Sequence, residues 1–293
     1  MKIACIIVAY KPNLKILKKN IKNLRNSVDK FIIVDNTPKG HSLSDDKILN
    51  IKLEVNLGIA AAQNIALHYC LKNNFHFCMF NDQDTIFDKD YINKMIKNYH
   101  SLSYKKKVFA IFPNLYDRNK KKLSGLVIRK GIYKKIVSIQ KNINSYVITE
   151  SMSSGMIIKL NLIKKIGYLN ENMFLDWVDF EFCWRAIKKN FLLVGFPNVI
   201  ASHYLGNKKK FFLGKAFHIH SHIRCYYILR NGLNIVIYSN YINFSWKLNI
   251  LFNLIRYSFG YLYFLDNKYL TTKYIAKAFL HGITNKLGKL GYE

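Results

Sequence analysis

Two aspartates separated by one residue, Asp82 and Asp84, are the first candidates for chemistry in this sequence. They follow the apolar run 77–80, which is typical of a short buried β-strand. Two carboxylates at a strand end can approach one divalent cation together, and Mg²⁺ or Mn²⁺ takes oxygen ligands that it shares with phosphates. A solvated turn that caps the next helix is the alternative. Because the apolar run leads directly into the acids, we favour the metal site.

Two further segments offer places for a nucleotide. Asp35 closes a second apolar run and could accept a hydrogen bond from the ring N–H that uracil and thymine carry and cytosine lacks; an ordinary turn residue is the alternative. Asn56 and Gly58 precede an alanine-rich helical segment, where a ligand could approach the backbone and the free N–H groups of a helix start. These residues predict a nucleotide site that is neither a dinucleotide motif nor a phosphate-binding loop.

A third group of acids, Asp176, Asp179 and Glu181, lies around the start of an amphipathic helix predicted for residues 179–189. One of these carboxylates can act as a general base, whereas the alternative is stabilisation of the helix N-terminus. Arg185 follows Glu181 by one helical turn and is expected to pair with it.

Taken in chain order, these motifs resemble family 2 glycosyltransferases. The first half of the match consists of Val8-Ala9-Tyr10, Val34-Asp35-Asn36, an Asn-x-Gly-x-Ala-x-x-x-Asn pattern at 56–64 and Asp82-Gln83-Asp84. The second half consists of Ser153-Ser154-Gly155, the segment 167–174 and the acidic group that ends at Arg185. The spelling of that group is similar to the rhamnosyltransferase branch, although Val178 stands where the family usually has glutamate. The resemblance covers roughly residues 2–231.

The resemblance implies a role for each matching residue, and Asp179 would be the general base. The other expected site residues are, for the nucleotide, Ala9, Tyr10, Asp35, Asn56, Gly58 and Asp82; for Mg²⁺ or Mn²⁺, Asp82, Asp84 and His203; and for the donor or acceptor pocket, Ser154, Gly155, Trp177, Glu181, Arg224 and Arg230. For His203 a merely packed side chain is the alternative, and for Arg224 and Arg230 an ordinary helix surface.

The predicted fold is α/β, a GT-A fold in which helices flank a Rossmann-like open mixed sheet, with a C-terminal helical region. Strands are predicted at 2–9, 31–35, 52–56, 77–80 and 192–201, helices at 59–71, 90–99 and 179–189, and a strand followed by a hairpin or flexible loop at 105–143. Since such sheets bind ligands beyond the carboxyl ends of their strands, the motifs should meet at one edge. We place the catalytic domain at 1–231 and an amphipathic helical region at 232–293.

The tail and the overall charge point to a membrane surface. Apolar residues recur at helical spacing from Leu248 to Tyr263 with basic residues among them, and the run is too interrupted to span a bilayer. Lys and Arg number 46 against 17 Asp and Glu, and the formal charge of +29 calls for an anionic partner. We expect this helix at an anionic membrane surface. Packing on the catalytic domain, or on a second subunit in a homo-oligomer, is the alternative.

The cysteines indicate the compartment. Five cysteines without a Cys-x-x-Cys pair are typical of buried thiols in a reducing environment. We therefore expect a cytoplasmic protein, peripheral to the inner face of the cell membrane.

The resemblance also implies an activity: inverting, metal-dependent transfer of a sugar from a dTDP- or UDP-sugar to a glycan acceptor, in cell-surface polysaccharide or O-antigen biosynthesis. The nearest branch uses dTDP-L-rhamnose and acceptors carried on a polyprenyl diphosphate; a UDP-hexose-dependent enzyme of the same family is the alternative. A nucleotidyltransferase would need a glycine-rich loop after the first strand, where the chain has Ala9-Tyr10-Lys11-Pro12. A nucleic-acid-binding protein would explain the charge, but the sequence carries no zinc-finger spacing or RNA-binding aromatic signature, so we expect no nucleic-acid partner.

Overall fold

The protein is described here by a computed structural model that covers residues 1–38, 40, 42–131, 133–203, 209–212 and 215–291 of the chain. The strands are β1 Ile3–Ala9, β2 Lys30–Asp35, β3 Ile48–Lys52, β4 Phe77–Asp82, β5 Val108–Asp117, β6 Lys122–Leu123, β7 Leu126–Lys130, β8 Tyr133–Val137, β9 Tyr146–Ile148, β10 Ile157–Lys159, β11 Leu192–His203, β12 Lys209–Phe212 and β13 Lys215–His218. The helices are α1 Leu14–Leu24, α2 Ile59–Lys72, α3 Tyr91–Ser101, α4 Ile163–Ile166, α5 Val178–Lys188, α6 His222–Tyr238, α7 Phe244–Phe264 and α8 Lys268–Ile283.

Nine of the described strands form one mixed sheet in the order β3-β2-β1-β4-β10-β5-β11-β9, with β6 paired to β5. β1 lies between β2 and β4 and is parallel to both, whereas β10 runs antiparallel to β4 and β5. Because β1 is covered on both faces, its sequence is an almost continuous apolar run rather than an alternating one. Hydrophobic clusters lie on the two faces of this sheet, and the predicted α/β fold is confirmed.

The strand register aligns the predicted motifs at one edge of the sheet. Ala9 at the end of β1 is opposite Asp35 at the end of β2, and Val8 is opposite Asp82 at the end of β4. The carboxyl ends of these parallel strands therefore meet, as expected for a ligand site in an open α/β sheet.

The strand predicted at 52–56 is wrong in its position. The third strand is β3, Ile48–Lys52, and it pairs in parallel with β2 up to the pair Asp35 and Lys52. One more hydrogen bond, from the Leu53 N–H to the Asp35 carbonyl at 2.9 Å, closes the ladder. Asn56 consequently lies in the connection to α2 rather than at a strand end. By contrast, the predicted strand and hairpin in 105–143 are present as β5 and the β7–β8 pair.

The C-terminal helices are continuous with the α/β domain. α6 runs through the boundary predicted at 231, so the division at that residue lies inside a helix. The inner face of α7 packs on the domain: Trp246 lies 6.1 Å from Trp184 between ring centroids, and Leu254 contacts Gly232. The outer face of α7, which we define as Phe252, Ile255, Phe259 and Tyr263, is exposed.

The structure also bears on the predictions about the cysteines and about membrane-spanning helices. All five cysteines are free and buried, as predicted. In the part of the chain that the structure describes, no helix is long and apolar enough to cross a membrane.

Candidate active site

Asp82, Asp84 and His203 form a cluster at the carboxyl edge of the sheet. Each offers one ligand atom, and these atoms all lie within 4.8 Å of one another. His203 reaches the cluster because the end of β11 bridges to the segment after the aspartates, with backbone hydrogen bonds between Ile86 and Ser202 of 2.7 and 3.0 Å. The His203 Nδ1 lies 3.6 Å from Asp84 Oδ1. Two carboxylates and an imidazole without a thiol fit a hard divalent cation such as Mg²⁺ or Mn²⁺.

Buried partners fix the electrostatics of this cluster. Burial raises the pKa of Asp82, as does the charge of Asp84, while His203 and a hydrogen bond from Ser154 oppose the rise. The Thr85 hydroxyl lies 2.6 Å from the His203 Nδ1 and also hydrogen-bonds Ser154. An Asp82 that is costly to ionise on its own is well suited to a bound cation, which would favour the ionised form.

The predicted nucleotide residues lie at the adjacent strand ends. Ala9 is buried, whereas Tyr10 is 45% exposed, so its ring is open to a ligand. Asp35 is buried and its Oδ1 accepts the Thr37 N–H at 2.8 Å. A Cβ on Gly40 would stand 2.5 Å from the Asp35 Oδ2, so this turn closes tightly over the carboxylate. Asp35 thus serves the turn, which was the alternative interpretation, and its role toward a base stays a prediction.

Two side-chain amides for which no role was predicted, those of Gln83 and Asn36, tie these strand ends to neighbouring backbone. The Gln83 side chain accepts the Tyr10 N–H at 2.8 Å and donates to the Tyr10 carbonyl at 3.1 Å. The Asn36 amide donates to the Gly58 carbonyl at 3.0 Å and accepts the Leu57 N–H at 3.1 Å. Amide side chains directly after a strand could have suggested such bonds, because they can donate to and accept from a neighbouring backbone.

Position 58 requires glycine because of its backbone conformation and a close contact with another segment of the chain. Its φ is +88°, and a Cβ there would stand 2.5 Å from the Phe174 carbonyl oxygen. The same oxygen accepts the Ile59 N–H at 2.9 Å. The close approach predicted for a ligand is therefore made by the segment 172–177, which we call the catalytic loop because it leads into the first turn of α5, where the predicted base Asp179 lies. Asn56 closes this connection, since its Oδ1 accepts the Gly58 N–H at 2.9 Å.

Asp179 is connected to the Asp82–Asp84–His203 cluster through Ser153 and Ser154. Its Oδ2 accepts the Ser153 N–H at 3.2 Å, and the next residue, Ser154, hydrogen-bonds Asp82. Burial raises the pKa of Asp179 to about 7; hydrogen bonds from Phe180 and Ser153 oppose the rise, and the charges of Asp82 and Asp176 add to it. A carboxylate that titrates near neutral pH suits a general base.

The structure rejects an N-cap role for Asp179, but it shows the first-turn contact by which an acid stabilises a helix N-terminus. The N-cap position of α5 belongs to Trp177, which has a φ of +67° and makes no side-chain capping bond. Asp179 lies one residue inside the helix, where its Oδ1 accepts the Phe180 N–H at 2.9 Å.

Arg224 lies beside this cluster. Its guanidinium forms a bidentate pair with the Asp176 carboxylate, at 2.9 Å from Nη2 to Oδ1 and 3.1 Å from Nε to Oδ2. Its charge also acts on Asp82 and Asp179. A half-exposed arginine in this position can contact an anionic group.

Other predicted pocket residues have structural partners. Glu181 is buried, and Arg185 binds both of its oxygens, at 2.7 and 2.9 Å, so the predicted pairing is confirmed. The Trp177 Nε1 donates to the Ile228 carbonyl at 2.9 Å. Gly155 has a φ of +81° and accepts the Tyr91 hydroxyl at 2.5 Å through its carbonyl, which makes it part of the packing beneath the pocket.

The pocket assignment of Arg230 is wrong. Its side chain is 1% exposed and donates to the carbonyls of Met173, at 3.0 Å, and Gly288, at 2.6 Å. Arg230 shares α6 with Arg224, but helical rotation turns it toward the interior. There main-chain carbonyls of two irregular segments supply its partners, as a buried guanidinium requires.

Comparison with known proteins decides the family. The model of glycosyl transferase family 2 matches residues 4–157, more than half of the chain. The chain belongs to glycosyltransferase family 2. Over 235 residues it is 28% identical to dTDP-rhamnosyl transferase RfbF of Shigella flexneri, covering 78% of each chain. It is 25% identical over 197 residues to the low-salt glycan biosynthesis hexosyltransferase Agl10 of Haloferax volcanii, covering 64% of this chain and 62% of that one.

Solved structures confirm the GT-A fold. S. aureus TarS 1–349 in complex with UDP superposes with a TM-score of 0.56 at 14% identity, covering 98% of this chain and 82% of that one. GalNAc-T7 with UDP, GalNAc and Mn²⁺ superposes with a TM-score of 0.54 at 10% identity, and this chain spans 58% of its length. Family membership decides in favour of a glycosyltransferase over a nucleotidyltransferase, and the predicted likeness to rhamnosyltransferases is confirmed.

Proposed function

We propose that this family 2 glycosyltransferase transfers L-rhamnose from dTDP-L-rhamnose to a glycan hydroxyl, with inversion at the anomeric carbon. The observation that carries the chemistry is the connection between Asp179 and the Asp82–Asp84–His203 cluster through Ser153 and Ser154. The choice of rhamnose is supported by the relative named dTDP-rhamnosyl transferase. A UDP-hexose is the second candidate donor, favoured by the fold's likeness to TarS in complex with UDP-GlcNAc.

In this reaction Asp179 removes the proton from the acceptor hydroxyl, whose oxygen forms a bond to the anomeric carbon. The bond from that carbon to the diphosphate oxygen breaks on the opposite face, and the nucleoside diphosphate leaves. Asp82, Asp84 and His203 would hold Mg²⁺ or Mn²⁺, which when bound neutralises charge on the leaving diphosphate. Arg224 is placed to add a second positive charge, and Ser154 orients Asp82.

On the donor side, Tyr10 offers its exposed ring to the base, and Asp35 selects uracil or thymine. Ala9, Asn56 and Gly58 shape the backbone around the nucleotide. Since thymine and uracil share the ring N–H, Asp35 does not separate dTDP from UDP. The two donors differ in the 5-methyl group of the base, in the 2′-hydroxyl of the ribose and in the transferred sugar, and contacts with these groups must distinguish them.

A donor screen tests this proposal. Thermal shifts with dTDP-rhamnose, UDP-glucose, UDP-GlcNAc and GDP-mannose in the presence of Mn²⁺ should be largest for dTDP-rhamnose, because a bound ligand stabilises by mass action. Incubation with an acceptor should then release dTDP. If a UDP-sugar alone binds and is consumed, the second candidate donor replaces the first. If pyrophosphate is released instead, glycosyl transfer is rejected.

We also propose that the acceptor is a polyprenyl-diphosphate-linked glycan, and that the outer face of α7 rests on the anionic membrane that carries it. Phe252 is 71% exposed, Phe259 59% and Tyr263 70%. The net charge of +29 favours anionic lipid. Such binding should weaken as salt rises.

Vesicle sedimentation measures this contact. The double change Phe252→Ser and Phe259→Ser should reduce binding to vesicles of anionic lipid. The matched control is Tyr133→Ser, which removes an aromatic ring that is 77% exposed on the β7–β8 hairpin. Equal binding of the double variant and wild type would reject this face as the membrane contact. A shift from dimer to monomer in the double variant would assign the face to a homo-oligomer instead.

A further inference from the structure

The catalytic loop is held in an unfavourable backbone conformation. Phe174, Asp176 and Trp177 have φ values of +60°, +61° and +67°, in the left-handed region that side chains other than glycine disfavour. Three such residues within four positions persist only where the surroundings enforce them, and they are typical of functional sites.

Asn231 of α6 is the main restraint on this loop. Its Nδ2 donates to the carbonyls of Met173, Leu175 and Asp176 at 2.9, 2.8 and 3.2 Å. The side chain is fully buried, so water does not replace these bonds. One amide nitrogen therefore binds three backbone carbonyls of the catalytic loop, just before α5 begins.

Other C-terminal groups orient that amide. The Arg230 Nε donates to the Asn231 Oδ1 at 2.9 Å, which leaves the amide nitrogen facing the loop. The Gly288 N–H donates to the Asn172 carbonyl at 2.7 Å. The loop is thus enclosed by α6 on one side and by the segment after α8 on the other.

The loop positions groups on both sides of the pocket. The Phe174 carbonyl contacts Gly58 and Ile59 on the donor side. Asp176 binds Arg224, and Trp177 leads into α5 and Asp179. A relaxed loop would shift the Asp179 carboxylate relative to the acceptor hydroxyl while leaving the strand-end residues in place.

We propose that Asn231 is a positioning residue for catalysis, which holds the strained catalytic loop so that Asp179 meets the acceptor, and that the C-terminal helices thereby complete the active site. The inference rests on the proposed function, since it assumes that Asp179 acts on an acceptor. It predicts an effect on the rate of transfer rather than on donor binding.

The test is Asn231→Asp in the full chain. Aspartate keeps the size and the oxygen that accepts from Arg230, but it sets a carboxylate oxygen against three carbonyl oxygens. We expect kcat to fall by about 10²-fold, the scale of a misplaced catalytic group. The donor KM, and the Kd for dTDP from calorimetry, should stay within a factor of about 3, because the loop contacts the donor side only near Gly58, whereas Asp35 and Asp82 are held by paired strands.

The matched control is Asn234→Asp, one turn along the same helix. Asn234 is also buried and its amide donates to the Asn285 Oδ1 at 2.8 Å, so it contacts the C-terminal segment but not the loop. This variant should keep the wild-type kcat. Circular dichroism should show both variants folded at the assay temperature.

Each outcome decides the question. A wild-type kcat in Asn231→Asp, or an equal loss in both variants, would overturn the positioning role. If Asn231→Asp does not fold, Asn231→Ala, which adds no charge, is compared in the same way. If neither folds while Asn234→Asp does, Asn231 serves folding alone and the proposal is rejected. Wild-type protein that transfers no sugar from any donor would instead reject the proposed function, before the variants are compared.

Discussion

The two halves of the candidate active site are built in different ways. The donor half uses the ends of three neighbouring strands, and its side chains follow directly from short motifs at positions such as Asp35 and Asp82. The acceptor half is a strained loop held by Asn231, which lies 58 positions after Met173 in the chain. The donor half therefore depends on local register, whereas the acceptor half depends on distant packing.

This difference has an energetic meaning. Parallel strands place their carboxyl ends together as a consequence of pairing, so the donor residues need few additional bonds. The loop residues with positive φ carry a cost of order 1–3 kcal/mol each, which must be offset by the bonds from α6. Substitutions in α6 should therefore lower the rate of transfer, whereas substitutions in the donor half should weaken donor binding.

The largest expected effect is in the metal cluster, which lies where the two halves meet. Asp84→Ala, or an excess of chelator, should reduce sugar transfer by about 10³-fold or more, since several kcal/mol of charge stabilisation are lost. Because the Asp84 side chain is 46% exposed, the variant should fold normally. Asp88→Ala, which removes a nearby exposed acid outside the cluster, is the control for transfer assays. Full transfer in excess EDTA would remove the metal from the proposal.

Asp179→Asn tests the acceptor half directly. Transfer should fall by about 10²-fold while donor binding remains, because the general base is lost. The control, Glu181→Gln, should cost stability through the buried pair with Arg185 but leave more activity per folded molecule. If Asp179→Asn transfers sugar normally while Asp176 or Glu181 variants are inactive, the base has been assigned to the wrong acid.

Asp179→Asn should raise the stability of the protein while it lowers the rate of transfer. Burial raises the folded-state pKa of Asp179 to about 7, above its ordinary value of 3.8. Stability from the protonated carboxyl is therefore present at low pH and is lost as pH rises toward 7, where the ionised form opposes folding. Asp179→Asn should melt at a higher temperature than wild type without divalent cation, and the gain should be larger above neutral pH than at acidic pH. A lower melting temperature at alkaline pH would contradict this.

The pH dependence of transfer tests whether Asp179 is the general base. The rate of transfer should fall as pH is lowered, with a midpoint above 3.8 and at or below about 7, because a cation at Asp82 offsets one of the charges that raise the pKa of Asp179. The profile is measured at saturating donor. A midpoint at the ordinary aspartate value would show that Asp179 is not the group that titrates.

The smallest expected effect lies in the donor half. Asp35→Ala should weaken binding of dTDP by about 10-fold, the worth of one hydrogen bond to a charged group, with little change in kcat. It should also reduce the preference for dTDP over CDP, measured by calorimetry. If the variant loses affinity for both nucleotides equally, Asp35 acts only through the turn around Thr37.

The sequence was informative where chemistry and register coincide. Asp82, Asp84 and Asp179 could be found because acidic motifs follow recognisable strands or open a helix, and the structure brings them together. The strand at 48–52 was misplaced because it lies at the edge of the sheet, where four of its residues are half-buried and one is exposed, so it has no continuous apolar run. Edge strands give a poorer apolar signal than buried ones.

Other residues could not be predicted because their partners are distant or are backbone groups. Arg230 and Asn231 form a local Arg-Asn pair whose partners, Met173 and Gly288, lie more than 50 positions away in either direction. The position of Gln83 and Asn36 directly after a strand suggests backbone hydrogen bonds, but it does not say which main-chain groups they bind. The interior role of α7 was open in the sequence, since its apolar residues cover more than one face.

The bond between the Gly288 N–H and the Asn172 carbonyl also bears on how the protein is made. Strands β1 to β4, together with Asp82 and Asp84, leave the ribosome early and can pair while synthesis continues, since chains generally fold from the N-terminal end. The loop before Asp179 must wait for α6, and for residue 288 to clear the exit tunnel. On the proposed function, the chain therefore completes the strand ends that face the donor earlier in synthesis than the loop on which turnover depends.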